Sequence, residues 1–238
     1  RIAEDFRPFL NYLYSLPERR QKYLNIVRAA ERNSDLILSQ AGYGQLQSRP
    51  YMRANVPIDL SMYRPHVPGR KIPKIIHAPS RRNVKGTSYV LEAVAQLKNE
   101  GIDFEFLLLE NTSNKQIREI LTDVDIVIDQ LFSETVGLLS AEAMASGCVT
   151  LVHYIPDYSK VPERCPAVDV TKDTLVDQLR KVILDLELRC RLAAAGRPYV
   201  EANNDHVKVA KKILEWLDQK DSLQYDYVPE TIPGGHFQ

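Results

Sequence analysis

Two stretches of the sequence combine residue types whose spacing can do chemistry. The first is Pro79-Ser80-Arg81-Arg82-Asn83-Val84-Lys85-Gly86-Thr87, where two guanidinium groups and an ammonium stand just ahead of a helix that Thr87 or Ser88 can cap. A diphosphate spreads its charge over several oxygens. Guanidinium forks, an ammonium and free helix-terminal amides satisfy such a group, each through a charge-assisted hydrogen bond. The competing reading is a solvated basic turn. The pattern GxxxxGK[ST] is absent, so this is not a Walker loop.

The second stretch runs from Phe132 to Gly147, FSETVGLLSAEAMASG, and places Glu134 and Glu142 with seven residues between them. A helix starting near Val136 leaves Glu134 in the loop at its mouth. Glu142 then lies about two turns inside, at roughly 1.5 Å per residue. Two carboxylates at different depths can address different parts of one ligand: the outer one sugar hydroxyls, the inner one the paired hydroxyls of a ribose. Gly137 leaves room for backbone to approach a phosphate at the helix end. The plainer alternative is Glu134 as a partner of the helix dipole, with Ala141, Ala143 and Ala145 as ordinary helix formers.

Both stretches need a scaffold, and the surrounding pattern supplies one. Strands are expected at Lys74–Ala78, Phe104–Leu109, Asp125–Ile128 and Cys148–His153, separated by helices over Thr87–Asn99, Asn114–Leu121 and Val136–Ser146. Short continuous apolar strands such as Phe106-Leu107-Leu108-Leu109 alternate with amphipathic helices, one of which carries Val90, Val94 and Leu97 on one face. This predicts an α/β fold, a doubly wound, Rossmann-like parallel sheet covered on both sides. Ligands of such sheets bind beyond the carboxyl ends of the strands, and both stretches fall there, about fifty residues apart.

The rest of the chain reads as support. Residues 1–33 predict two helices broken near Pro17, Asp35–Ser39 a short buried strand, and Asn55–Asp59 a second extended piece. Tyr63–Pro73, with three prolines and a glycine, is the expected linker. Three helices are expected over residues 172–219, broken around Glu187 and Asn203-Asn204, and then an extended tail. The division is thus 1–66, 67–220 and 221–238. Cys148 reads as a small buried thiol, His77 and His153 as hydrogen-bonded structural histidines, and Trp216 as a packing anchor against the N-terminal part.

Composition narrows the function classes. In 238 residues, 31 Lys and Arg balance 31 Asp and Glu, so no broad basic field exists to hold nucleic acid. Three cysteines without a CxxC give neither a disulfide framework nor a zinc site, which fits a reducing cytoplasm. No apolar run approaches the roughly 18–20 residues that cross a bilayer, and no leader pattern opens the chain. Its first residue, Arg1, falls inside an expected helix, which points to a piece of a longer protein.

Taken together, ETVGLLSAEAMASG with Glu134 and Glu142, the upstream RRNVKGTSYVLEA, and RNSDLILS, VPID, YRP and GRPYV in that order resemble retaining glycosyltransferases of the GT-B fold, group 1 (family 4) type. The resemblance covers most of residues 25–217. It implies that residues 67–220 are the C-terminal, nucleotide-sugar donor domain and residues 1–66 the last part of the acceptor-side Rossmann-like domain. Arg82 and Lys85 would hold the diphosphate, with Arg81 the rival arginine. Glu134 would contact the donor sugar and Glu142 the ribose. Thr135, Val136 and Gly137 would offer amides to sugar and phosphates, with Leu138 completing the donor set. Glu110, Asn111 and Thr112 would lie near the base. The family commonly has Phe-Gly after the first glutamate, where this chain has Thr135-Val136-Gly137, and its Gly-Arg usually stands further ahead of Lys-Gly. The acceptor-side histidine of the family has no counterpart, since no histidine precedes His66.

The expectation is therefore a retaining glycosyltransferase of hexosyltransferase type, in polysaccharide biosynthesis, whose isolated fragment need not turn over. Arg82, Lys85 and Glu134 are the expected catalytic set, with no metal and no cofactor, because cationic side chains would stabilise the departing diphosphate. Asp123, Asp125 and Asp129 flank a strand and read as polar end groups or caps rather than as a metal-binding acidic cluster. The acceptor would be a saccharide or a lipid-linked sugar, with peripheral membrane contact through the missing N-terminal part. Two alternatives stand beside this: a non-catalytic nucleotide-sugar-binding module that needs a partner chain, and a sugar-nucleotide epimerase of the same architecture. A dinucleotide dehydrogenase is disfavoured, as no GxGxxG follows a strand.

Overall fold

The computed structural model describes residues 17–39, 47–132, 135–154 and 165–228. Helix α1 (Pro17–Arg32) opens on its proline, whose missing N–H costs nothing in a first turn. The helix expected before Pro17 lies outside the described residues. Strands β1 (Leu38–Ser39) and β2 (Met52–Arg53) pair in parallel over two residues only. The strand expected over Asp35–Ser39 is therefore shorter than its apolar run, and Leu38 faces solvent. Asn55–Asp59 forms no ladder. Its Ile58 makes one parallel bridge to Asp205, accepting from His206 N at 3.1 Å and donating to Asn204 O at 2.8 Å.

The main sheet follows: β3 (Lys74–His77), β4 (Glu105–Leu108), β5 (Ile126–Ile128), β6 (Val149–Val152) and β7 (Val168–Asp169), all parallel, in the order β4-β3-β5-β6-β7. The connecting helices are α2 (Arg82–Lys85), α3 (Thr87–Asn99), α4 (Asn114–Leu121) and α5 (Leu138–Ala145). After β7 come α6 (Leu175–Leu184), α7 (Leu186–Asn203) and α8 (His206–Asp218). Neighbouring strand residues point to opposite faces, so Ile75 joins Val90, Leu97, Leu175 and Leu179 under α3 and α6. Ile76 joins Ile117, Leu121 and Ala143 under α4 and α5. This two-sided burial explains the continuous apolar runs of β3, β5 and β6. The edge strand β4 departs from the expectation: its apolar run is only partly covered, and Leu107 is exposed. Among the described residues no helix is long and apolar enough to cross a membrane.

The chain order reverses at β3, whose neighbours are β4 on one side and β5 on the other. Such a switch point opens a crevice at the carboxyl ends of the two strands, because their following helices leave in opposite directions. The loop after β3 carries the basic stretch and the loop after β5 leads into the glutamate stretch.

Three features depart from the sequence reading. Tyr63–Pro73 is docked rather than free: His66 N donates to Ser146 O at 3.0 Å, and the buried Arg189 guanidinium binds the carbonyls of Pro68 and Arg70. Its prolines have no N–H to lose, and its carbonyls are met by side chains of the sheet domain. Strand β7 carries too little apolar sequence to be seen beforehand. Helix α5 starts at Leu138 because Gly137 is extended at its N-cap. Of the expected tail, Tyr227 bridges Tyr51 and their rings stack at 4.7 Å, while residues 229–238 lie outside the described residues.

Candidate functional site

A cleft of about 460 Å³ opens at the switch point. Its walls include Ser80, Arg82 and Lys85 from the loop after β3, Leu109–Thr112 from the loop after β4, and Leu138, Leu139 and Glu142 from α5. The two stretches singled out by chemistry therefore meet in one space. Gly86 makes the basic loop possible: it ends α2 and starts α3 with φ +74°, a left-handed conformation that glycine adopts without steric cost. Thr87 does not cap the helix. It is buried, with its Oγ1 2.9 Å from His77 Nε2, while His77 Nδ1 lies 2.8 Å from Ile128 O. A carbonyl only accepts, so Nδ1 carries the proton and Nε2 accepts from Thr87. Burial lowers the His77 pKa, which keeps the ring neutral.

Lys85 is aimed by two acceptors. Its Nζ donates to Asp129 Oδ1 at 2.6 Å and to Gln130 Oε1 at 2.9 Å. Asp129 is buried at the end of β5 and also accepts from Ser140 Oγ at 2.7 Å. Burial works to raise its pKa, but the charge and hydrogen bond of Lys85 and the Ser140 bond outweigh it, and the carboxyl is held below its usual range. Asp129 is thus more than a strand-end polar group. Gln130 Nε2 donates to Thr135 O at 2.8 Å, which ties the ammonium's cradle to the loop entering α5.

Arg82 is exposed at the cleft and makes a two-bond contact with Glu110, Nε to Oε1 at 2.7 Å and Nη2 to Oε2 at 2.6 Å. The bond and charge of Arg82 hold the Glu110 pKa down. The basic loop is therefore not a set of bare cations, because an acceptor faces each of the two that line the cleft. Glu142 closes the inner end. Burial raises its pKa, opposed by a 2.6 Å hydrogen bond from the Tyr63 hydroxyl.

The structure brings together Arg82, Lys85, Glu110, Asn111, Thr112, Leu138 and Glu142. Asn111 has φ +53°, a left-handed turn that asparagine tolerates better than most residues. Arg81, Thr135, Val136 and Gly137 do not line the cleft. Thr135 is buried behind it and Val136 packs against the cluster of Ile58, Ala141 and Met144. A Cβ on Gly137 would sit 3.3 Å from Asp129 Oδ2, so the backbone there lies close to the Lys85 cradle. Glu134 lies outside the described residues. Sequence reasoning missed the cradle role of Asp129 and Gln130, and it missed Tyr63. The dipeptide after an apolar strand was a usable signal, since a buried carboxylate needs a partner. Tyr63 gave none, because its partner is far along the chain.

No family model matches the chain, and no curated protein matches it. Solved structures do. HepE from Anabaena, determined in complex with UDP-glucose, superposes with a TM-score of 0.66 at 16% identity over 86% of this chain and 70% of its own. Sucrose-phosphate synthase from Thermosynechococcus elongatus gives 0.65 at 13% identity over 84% and 61%. TarM of S. aureus, in a complex containing UDP, gives 0.60 at 10% identity over 84% and 46%. The shared feature at these identities is the architecture: the chain has a GT-B glycosyltransferase-like fold, its five-stranded parallel sheet corresponding to the C-terminal domain.

Proposed function

We propose that this chain is the donor-binding part of a glycosyltransferase that moves a sugar from a nucleoside diphosphate to an acceptor hydroxyl with retention at the anomeric carbon. The observation that carries the proposal is the convergence of Arg82, Lys85, Glu110 and Glu142 on one cleft at the switch point of a parallel sheet. The structural likeness to HepE, solved with UDP-glucose, supports a nucleotide-sugar as the ligand class. Arg82 and Lys85 would take the diphosphate, Glu142 the ribose, and the Glu110–Thr112 loop the base, with Glu134 on the sugar. As the glycosidic bond loosens, negative charge grows on the leaving diphosphate, and the Lys85 ammonium, fixed in advance by Asp129 and Gln130, meets it without reorganising. Arg82 must exchange Glu110 for phosphate oxygens as the ligand enters. These cationic groups serve the diphosphate without a required metal ion. Residues 67–220 form the donor unit in this reading, in a cytoplasmic enzyme of polysaccharide assembly.

The test is a thermal-shift panel of UDP-, GDP- and ADP-sugars with the matching free diphosphates. One family of nucleotides should raise the melting temperature by mass action, and Arg82→Ala should remove most of that rise. A response of Arg82→Ala equal to the parent's would sink the phosphate assignment. Incubation with the selected nucleotide-sugar then separates an enzyme, which transfers or slowly hydrolyses it, from a binding module, which does neither.

A further inference from the structure

Glu142 is held from outside the loops of its own sheet. Tyr63 stands at the end of the 3-10 turn Leu60–Met62, 79 residues earlier, and its hydroxyl donates to Glu142 Oε1 at 2.6 Å with both residues buried. Tyr63 is itself anchored. Its carbonyl accepts from Arg197 Nη1 at 2.9 Å, its N–H donates to Leu60 O at 3.3 Å, and the residues before it, Ile58 and Leu60, belong to one cluster with Ala141, Met144 and Ala145 of α5. A glutamate on a helix has several rotamers, and an unheld carboxylate at a cleft wall would sample them. Here Oε1 is engaged, and among the described residues Oε2 has no hydrogen-bond partner while Glu142 lines the cleft.

We propose that Tyr63 is a positioning residue that fixes the Glu142 carboxylate so that Oε2 faces the cleft to accept a ribose hydroxyl. This assignment rests on the nucleotide reading of the cleft. It makes the stretch leading out of the N-terminal part a contributor to the donor site, since removing Tyr63 would free Glu142 without touching the cleft's own loops. The titratable and charged groups around Glu142 are Tyr63, Arg118 of α4, Asp129 at the end of β5, and Arg82, Lys85 and Glu110 in the cleft walls; from α7, Arg197 reaches the carbonyls of Tyr63 and Ala145. Burial raises the Glu142 pKa and the Tyr63 bond opposes that rise. Losing the bond therefore leaves the carboxyl easier to protonate, and a protonated carboxyl offers a ribose hydroxyl a poorer acceptor.

The experiment measures calorimetric affinities of UDP, GDP and ADP and of their 2′-deoxy counterparts across about pH 5 to 8. It uses the parent, Tyr63→Phe, Glu142→Gln and the double variant. Phenylalanine keeps the ring's packing, and far-UV circular dichroism verifies the fold. In Tyr63→Phe the ribonucleotide should bind about tenfold more weakly, the deoxynucleotide within about twofold of parent, and the acid limb of binding should move to higher pH. In the Glu142→Gln background the same change should add nothing. A Tyr63→Phe protein with parental ribose-to-deoxyribose ratio and parental pH profile would show a packing role only and overturn the assignment. A parent that binds none of the three diphosphates removes the nucleotide reading, and this assignment with it.

Discussion

Lys85 and Asp129 are best understood as one unit. The ammonium is mostly covered and the carboxylate wholly buried, so truncating the lysine strands a charge in the interior. Lys85→Ala should cost about 3 kcal/mol of stability, and adding Asp129→Asn should recover more than half of it, as read from urea midpoints. If the single and double variants unfold together, the pair does not have the coupling its geometry implies. His77 provides a pH test at the same scale. Its folded pKa is depressed by burial while the unfolded chain titrates near about 6.5. The unfolded state therefore takes up a proton that the folded state refuses. The contribution of His77 is complete above about 6.5 and is lost as pH falls toward the folded value. Urea midpoints at about pH 7.5 and 5.5 should differ in that direction, and His77→Gln should flatten the slope.

Among the elements, the turn between α5 and β6 connects the glutamate helix to the segment that carries Tyr63. Gly147 has φ +84°, and a Cβ there would come within 2.1 Å of the His66 carbonyl oxygen. Both the left-handed backbone and the close approach of another backbone demand glycine. Gly147→Ala should destabilise by at least about 2 kcal/mol and weaken nucleotide binding together with stability, because the docked segment must move. Calorimetric unfolding of that variant checks it, and a melting temperature within a degree of parent would contradict the geometry. The expected elements along Lys74–Val152 were legible for a related reason. Apolar runs of strand length alternate with helices such as α3, whose Val90, Val94 and Leu97 are buried at helical spacing, so local pattern and tertiary burial agree there. Strand β7 and the linker's docking were not legible, since each depends on a neighbour distant in sequence: β6 for the strand, and Arg189 with Ser146 for the segment.

For the whole molecule, the N-terminal residues and the sheet domain are joined by more than a tether. Ile58, Leu60 and Tyr63 pack with α5 and with Val200 of α7, Asn204 Nδ2 donates to Val56 O at 2.9 Å, and Tyr51 meets Tyr227. Trp216 lines a small cleft with Arg53 and Asn55, and the Lys212 ammonium sits 4.9 Å from its ring centroid. A chain shortened to begin at residue 67 loses the buried apolar anchors Ile58 and Leu60, each worth roughly 1.5–3 kcal/mol when fully buried, and also loses Tyr63. It should melt well below the parent by differential scanning calorimetry. An unchanged melting temperature would show the sheet domain to be self-sufficient.

The sequence by itself determined the α/β alternation, the two chemically loaded loops and their common rim, because strand and helix periods are local and a parallel sheet places every βα loop at one end. It also pointed to Arg82, Lys85 and Glu142 by residue type and spacing. Tertiary structure alone decided which cations line the cleft and which acceptors hold them, Glu110 for Arg82 and Asp129 with Gln130 for Lys85. It alone set Tyr63 against Glu142. Those partners lie between 28 and 79 residues apart. Hydrogen bonds and ion pairs act over a few ångströms in space and carry no periodic trace along the chain, so only folding makes them neighbours.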